Sequence, residues 1–283
     1  MYNASLKNKT WTQTGGTVFK YIECEHINEI SDIIKCYKGQ KKVFTAGNSS
    51  NCIFSDRYLD IVILKLGKYF DGVMDINSDV IRIGGATKVY AKYKDILCKN
   101  GIGGLEFMCS IPGTVGGMVA MNAGCYGMDI SKCCKRICYI DINGDIKIRE
   151  TQSPDFSYRK NNIKDVAVII WSEFYYYNSC SDVIMTKINK NLKQRQETQI
   201  QRFTTGSTFK NVNNNISAWS LLKKHCIDLD FNGAIFSKKH FNFITKTSPK
   251  TSSNDFINLI NCAKKIVKKE SGIDLDQEVI LIN

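Results

Sequence analysis

The segment from Ile111 to Gly127, Ile-Pro-Gly-Thr-Val-Gly-Gly-Met-Val-Ala-Met-Asn-Ala-Gly-Cys-Tyr-Gly, constrains this chain most. Seventeen residues hold five of its 20 glycines and one of its three prolines. Ordering so many glycines is costly, because glycine loses more backbone freedom on folding than any other residue. The segment must therefore need bare backbone, for positive φ or for close approach of another group. Pro112 fixes an entry turn, and Gly113 with Thr114 opens a short helix whose first N–H groups are expected to face an anion. Gly116 and Gly117 leave no side chain between that backbone and a bulky ligand. Asn122 adds an amide that donates and accepts, and Tyr126 adds a ring with a phenol tip. Any one of these glycines alone reads as a tight turn. The run as a whole reads as a loop that cradles a ligand.

The rest of the chain alternates strands and helices around this loop. Thr10 to Ile22 reads as a turn at Gly15–Gly16 followed by a strand. Apolar residues at Ile27, Ile30, Ile33, Ile34 and Tyr37 recur at helical spacing, so 26–38 is expected to be a helix. A short strand begins at Val43–Phe44 and runs into the polar turn Gly47-Asn48-Ser49-Ser50-Asn51. Ile61 to Leu66 reads as an apolar strand buried on both faces. A polar turn at a strand end is where α/β units bind ligands. Ser49, Ser50 and Asn51 can offer donors to a pyrophosphate, though neither a P-loop nor a Rossmann fingerprint is present.

Ile81–Gly85 then reads as a strand, and Val89, Tyr93, Ile96 and Leu97 mark a helix ending near Asn100. Asn143–Gly144 predicts a hairpin between strands 137–142 and 146–148. A strand over 166–177 and a polar helix over 181–201 follow. The last part reads as a helix at 216–226, a strand reaching Ile244, a helix from its cap Ser253 to Lys269 with Gly272 at its stop, and a strand over 275–282.

Composition narrows the class. A net charge of +12 fits nucleic acid, a membrane surface or small anionic ligands. The lysines are spread out, with a mild cluster from Lys187 to Arg195, and no nucleic-acid motif accompanies them. Abundant Lys, Ile and Asn reflect an AT-rich genome well enough to account for most of the charge. The 12 cysteines are scattered and only three histidines occur, His26, His225 and His240, so no metal site assembles. In a reducing compartment the cysteines read as small buried apolar residues. The first residues lack the apolar segment of a signal peptide and no apolar run is long enough to span a bilayer, so a cytoplasmic protein without membrane insertion is expected.

Residues 111–127 resemble the IPGTVGG…NAG-YG signature of the bacterial UDP-N-acetylenolpyruvoylglucosamine reductases. Other motifs recur in that family's order: Gly47, Ser50, Asn51 and Asp56 in the polar turn, Tyr158–Arg159, Gly206-Ser-Thr-Phe-Lys-Asn211, and Glu278. The resemblance runs from about Thr10 to Ile282, and only 47 residues separate Arg159 from Ser207. That is too few for the substrate-covering insertion of one branch, so the chain looks like the shorter type. The resemblance implies an α+β chain, with a two-lobed FAD-binding domain of the PCMH/vanillyl-alcohol-oxidase type over 1–182 (lobes at about 1–70 and 71–182). A C-terminal α/β substrate-binding domain would occupy 183–283.

The resemblance also implies a reaction. Noncovalent FAD is reduced by NADPH and in turn reduces UDP-N-acetylglucosamine enolpyruvate to UDP-N-acetylmuramate, in a monomeric cytoplasmic enzyme of peptidoglycan synthesis. FAD would be held by Ala46, Gly47, Asn48, Ser49, Ser50 and Asn51, and by Pro112, Gly113, Thr114, Gly116, Gly117, Asn122, Ala123 and Gly124. Tyr126, Tyr158, Lys210 and Asn211 would hold the substrate. Arg159 and a protonated Glu278 suit the enolate that forms when hydride adds to the vinyl terminus, and Ser207, aided by a cation such as Lys210, suits delivery of the proton. Without the resemblance each of these three reads as an ordinary surface ion pair, turn or solvated carboxylate.

The chain departs from the family at Gln13 (Arg), Ser49 (Gly), Ile200 and Val212 (both Pro) and Ile235 (Gln). Two rivals remain at this stage: another flavoprotein of the same two-lobed type, and a basic nucleic-acid-binding protein, which would be colourless and salt-sensitive.

Overall fold

The computed structural model describes residues 2–90, 93–213 and 216–283. The chain divides into two compact units, each assembled from separated segments. The first comprises 20–48 and 60–195, the second 2–19, 49–59 and 196–283.

In the first unit, strand Lys42–Thr45 runs parallel to Leu59–Leu66, whose Ile61 to Leu64 are apolar and buried as expected, while Lys65 is half-buried. Helix α1 (Ile27–Tyr37) buries Ile30 and Ile34. The larger sheet is antiparallel, in the order Ile146–Glu150, Cys134–Asp141, Val166–Tyr175, Val80–Gly84, Val73–Ile76. The Asn143–Gly144 hairpin forms where its turn signal lies, with Gly144 at φ +84°. Glu173 is 1% exposed in this sheet, and its carboxylate takes both Arg82 (2.6 Å) and Arg136 (2.9 Å). One buried acid thereby ties three strands together.

Helix α2 spans Lys94–Lys99, shorter than the spacing from Val89 predicted; Ala91 and Lys92 lie outside the described residues. Helix α3 (Val115–Ala120) forms in the glycine-rich run and packs on strand Val166–Tyr175. Helix α4 (Ser181–Thr198) ends three residues before its sequence pattern does.

The second unit is built on a sheet ordered Thr204–Ser207, His240–Lys246, Ala234–Ser237, Asp230–Phe231. Helices α5 (Ala218–His225) and α6 (Ser253–Ser271) cover it, and their Leu222, Phe256, Leu259 and Ile260 sit in one buried core with Phe209, Phe236 and Ile244. Two sequence expectations need correction here. The cap of α6 is Ser252, whose hydroxyl accepts from Asp255 N, while Ser253 is buried and donates to Thr14 Oγ1 at 2.8 Å. The last strand is confined to Ile280–Ile282, parallel to Cys52–Phe54, because the residues before it pair with the 208–210 segment instead. Gly272 closes α6 at φ +72°, as its position predicted.

All twelve cysteines are free thiols. Seven are buried, and burial pushes Cys109 and Cys134 up to about 12, so these are inert packing groups. Cys36 and Cys180 are exposed and do not fit that reading. Among the described residues, no helix is long and apolar enough to cross a membrane.

Candidate active site

The glycine-rich run uses its missing side chains to bring backbone onto backbone. A Cβ on Gly85 would meet Ile169 O at 2.2 Å, and one on Gly116 would meet Gly85 O at 3.1 Å and Ile169 O at 3.2 Å. Helix α3 can therefore lie against the strand pair only where glycines allow it. The price of that approach is the amide set offered to an anion in the sequence reading. Val115 N donates to Thr87 O (2.9 Å), Gly116 N to Gly85 O (2.9 Å), and Gly117 N to the capping hydroxyl of Thr114 (3.3 Å). The first three amides of α3 are thus satisfied inside the protein and do not face a ligand.

What the approach leaves open is a cavity of about 360 Å³ in the first unit. Ala46, Gly47, Thr114, Gly116 and Gly117, all expected from the sequence, line it. Two of these lining residues pack on each other: a Cβ on Gly47 would meet the Thr114 side chain, 2.4 Å from its Oγ1. Asn48, Pro112 and Gly113 are not in the lining; Asn48 Nδ2 instead donates to Pro112 O at 2.8 Å, joining the two loops. The volume and the small-residue walls fit part of a large dinucleotide cofactor such as FAD.

Lys65 and Lys88 also line the cavity and were missed by sequence reasoning. Lys65 left a signal: it is the one charge inside the otherwise apolar stretch 61–66. Such a lysine places a cation where an anionic ligand would lie, at the cost of desolvating its stem.

Asn122, Tyr126 and Arg159 form a second cluster of the same unit, and all three have positive φ (+40°, +54° and +59°). Non-glycine residues in this region are strained, and such residues gather at functional sites. The Asn122 side chain donates to Ser157 O and accepts from Ser131 N, both at 2.9 Å, so it fixes the turn that carries Tyr158 and Arg159. Arg159 Nη2 donates to Gly124 O at 2.8 Å, and its guanidinium lies 5.0 Å from the Tyr158 ring centre. Tyr126 donates from its hydroxyl to Asn191 O of α4 at 3.0 Å. Asn122, Ala123 and Gly124 are absent from the cavity lining. Arg195, also unanticipated, lies in the electrostatic surroundings of Tyr126, and burial lowers its pKa.

In the second unit Ser207 ends strand Thr204–Ser207, opposite Phe243, just after Gly206 at φ +69°. Glu278 N donates to Thr208 O (2.9 Å) and Lys210 N to Asp276 O (2.8 Å), so two segments some 70 residues apart in sequence run side by side. Asn51 holds the second of them: its Nδ2 donates to Glu278 O at 3.1 Å, and its carbonyl accepts from Ile280 N at 2.9 Å. Asn211 Oδ1 accepts from Ala218 N at 3.2 Å and so anchors α5. Ser207, Lys210 and Glu278 thus share one framework, with Ser49, Ser50 and Asn51 in the same unit. Arg159, Tyr126, Tyr158 and the cavity belong to the other. Ser49, where the resemblance expects glycine, sits at φ +53°, in the left-handed region that favours glycine.

A family model described as an FAD binding domain matches residues 20–148, and one described as the C-terminal domain of UDP-N-acetylenolpyruvoylglucosamine reductase matches 198–282. The chain is 31% identical to the UDP-N-acetylenolpyruvoylglucosamine reductase of Pelagibacter ubique, over 99% of this chain and 94% of that protein. It is equally 31% identical to that of Wolbachia pipientis, over 98% and 94%. In fold it matches the crystal structure of the Thermus caldophilus enzyme with a TM-score of 0.82, at 21% identity, covering 99% of this chain and 98% of that one. With cavity, motifs and full-length similarity in agreement, the chain belongs to the UDP-N-acetylenolpyruvoylglucosamine reductase family.

Proposed function

We propose that this protein is an FAD-dependent, NADPH-consuming reductase that converts UDP-N-acetylglucosamine enolpyruvate to UDP-N-acetylmuramate for peptidoglycan synthesis. The observation that carries this is one chain-length similarity that includes a glycine-walled cavity in the first unit and a Ser207–Glu278 framework in the second. FAD, when bound, relays hydride from NADPH to the vinyl terminus of the enolpyruvyl group.

This chain's own residues supply the rest. Ala46, Gly47, Thr114, Gly116 and Gly117 receive the cofactor on bare backbone, and Lys65 and Lys88 offset its negative charge. Arg159, held by Gly124 O, presents a fixed guanidinium to the substrate carboxylate. As hydride arrives at one carbon, electron density moves into that carboxylate; Arg159 and protonated Glu278 stabilise it. The Ser207 hydroxyl then gives its proton to the neighbouring carbon, and Lys210 eases the loss of that proton. One hydride and one proton are thereby added across the double bond. Tyr126, Tyr158 and Asn211 complete the substrate contacts. The domain division at residues 182–183, a monomeric state, a cytoplasmic location, and the absence of nucleic-acid partners and of membrane insertion all belong to this reading.

The first test is a visible spectrum of the purified protein. A noncovalent flavin band that NADPH bleaches and the enolpyruvyl UDP-sugar restores is expected. A colourless protein that takes up no FAD overturns the reading. A flavin that NADPH bleaches but the UDP-sugar does not restore overturns the substrate assignment alone.

A further inference from the structure

The segment bearing Ser207 and Lys210 is held by a side chain that the chemistry above does not use. Asn242, only 4% exposed, lies in strand His240–Lys246. Its Nδ2 donates to Phe209 O at 2.8 Å, and its Oδ1 accepts from Phe209 N at 2.9 Å. Its own carbonyl accepts from Thr208 N at 2.7 Å. The side-chain amide thus pairs with both backbone groups of one residue, as a residue of a neighbouring strand would. It does so just past a register shift between Thr204 and Ser207, where the pairing with that strand is irregular.

The clamp sits at the centre of the chemistry. Immediately before it, Ser207 lies opposite Phe243; immediately after it, Lys210 is tied to Asp276 O. On its other edge, Thr208 O receives Glu278 N. One side chain therefore fixes the backbone from which Ser207 and Lys210 project and against which Glu278 is hydrogen-bonded. Phe209 is 1% exposed, so bulk solvent does not reach its N–H and C=O. Without the amide these two groups lose their fixed partners, and the segment is free to shift.

We propose that Asn242 is a positioning residue for the protonation step: its paired hydrogen bonds to Phe209 set the Ser207 hydroxyl in place relative to Glu278. This rests on the roles given to Ser207 and Glu278 above. A shift of about 1 Å in a reacting group costs on the order of 10²-fold in rate. The loss is expected in reduction of the enolpyruvyl sugar and not in reduction of the flavin by NADPH.

The test measures both half-reactions by stopped flow for the wild type, Asn242→Ala, Asn242→Asp and Ser207→Ala, each loaded with FAD. Asn242→Ala is expected to slow flavin reoxidation by the UDP-sugar roughly 10²-fold, leave flavin bleaching within a few-fold, and lose hydrogen-exchange protection in a peptide spanning 204–211. Asn242→Asp adds a signature that general loosening would not produce. A neutral carboxyl has one donor and one acceptor in the geometry of the amide, while its ionised form puts a second acceptor against Phe209 O. The Asp deficit, taken as a ratio to wild type at each pH, should therefore shrink as pH falls, whereas the Ala deficit should not.

Equal slowing of both half-reactions, or none in the second, overturns the proposal. If Ser207→Ala reoxidises normally, the proton-donor reading fails and the Asn242 role falls with it. If Ser207→Ala is slow and Asn242→Ala is normal, only the Asn242 role falls. If Asn242→Ala does not fold, the pH ratio of Asn242→Asp decides: a constant ratio overturns the proposal.

Discussion

In the run from Pro112 to Ala120 backbone meets backbone because a side chain is missing: at Gly116 the carbonyls of Gly85 and Ile169 stand within 3.1 and 3.2 Å of where a Cβ would be. In the paired segments 204–210 and 276–280 backbone is held because side chains are present: Asn242 bonds Phe209 of the first and Asn51 bonds Glu278 of the second, with hydrogen bonds that a neighbouring strand would otherwise give. The first kind of site tolerates no addition, and the second no subtraction. They also differ in reach. The contacts of the first lie within about 85 residues of one another, between Gly85 and Ile169. The second joins residue 51 to 278, which sequence distance gives no reason to pair. A cofactor cradle can be built from shape alone. A proton donor also needs its orientation fixed.

The sharpest way to test the contrast is to subtract the reacting group from the clamped segment. Ser207→Ala should slow flavin reoxidation by the enolpyruvyl UDP-sugar by about 10²–10⁴-fold, the usual worth of a positioned general acid. Flavin content, melting temperature and bleaching by NADPH should stay near wild type, because the Ser207 backbone pairing does not involve its side chain. Equal loss of both half-reactions would show that this segment also shapes the cofactor site.

The converse experiment adds a single methyl to the cradle. Gly85→Ala places a Cβ 2.2 Å from Ile169 O and 2.9 Å from Ile170 O, both backbone atoms of the central strand that cannot swing aside. A loss of about 3 kcal/mol in unfolding free energy is expected, together with release of FAD, as for other overpacked sites. Chemical denaturation followed by fluorescence measures the first, and absorbance of the desalted protein the second. A variant that keeps its flavin would mean that α3 can shift away from the strand, and that bare backbone is a convenience there.

The same contrast governs what could be seen from the sequence. The cradle was legible because glycine density is a local signal, and Gly47, Thr114, Gly116 and Gly117 do line the cavity. Its physics was misread: the α3 amides bond to Gly85 O and Thr87 O, carbonyls some 30 residues upstream that no local window contains. Lys65 was passed over because five apolar neighbours dominate the stretch 61–66. Ser207 and Glu278 were singled out only through resemblance, since a serine after glycine and a glutamate near a terminus are ordinary. Asn242 left no signal, because a buried amide that replaces a strand partner looks like any strand asparagine until the register shift is known.

A smaller effect separates the cap from the cavity. Thr114 caps α3 through Gly117 N and also lines the cavity, and it is 5% exposed. Thr114→Ala should cost about 1 kcal/mol through the lost cap. Thr114→Ser keeps the hydroxyl and should restore most of it. If the serine variant is as unstable as the alanine one, the methyl, not the cap, is what holds α3.

The least effect is expected where the polar turn departs from its family. Ser49 has φ +53°, a region that costs an L-residue roughly 1–2 kcal/mol and glycine nothing. Ser49→Gly removes that strain but adds freedom to the unfolded chain, worth about 0.5–1 kcal/mol in the opposite sense. The net should be a gain of under about 1 kcal/mol, a rise of a few degrees at most in melting temperature for a chain of this size. Ser49→Ala is the control, since it removes the hydroxyl and keeps the strain. If alanine is neutral and glycine stabilises, the turn is bare backbone in character, like the cradle. If both destabilise by similar amounts, the Ser49 hydroxyl holds the turn, and the turn is built like the segment around Ser207, by a side chain that cannot be taken away.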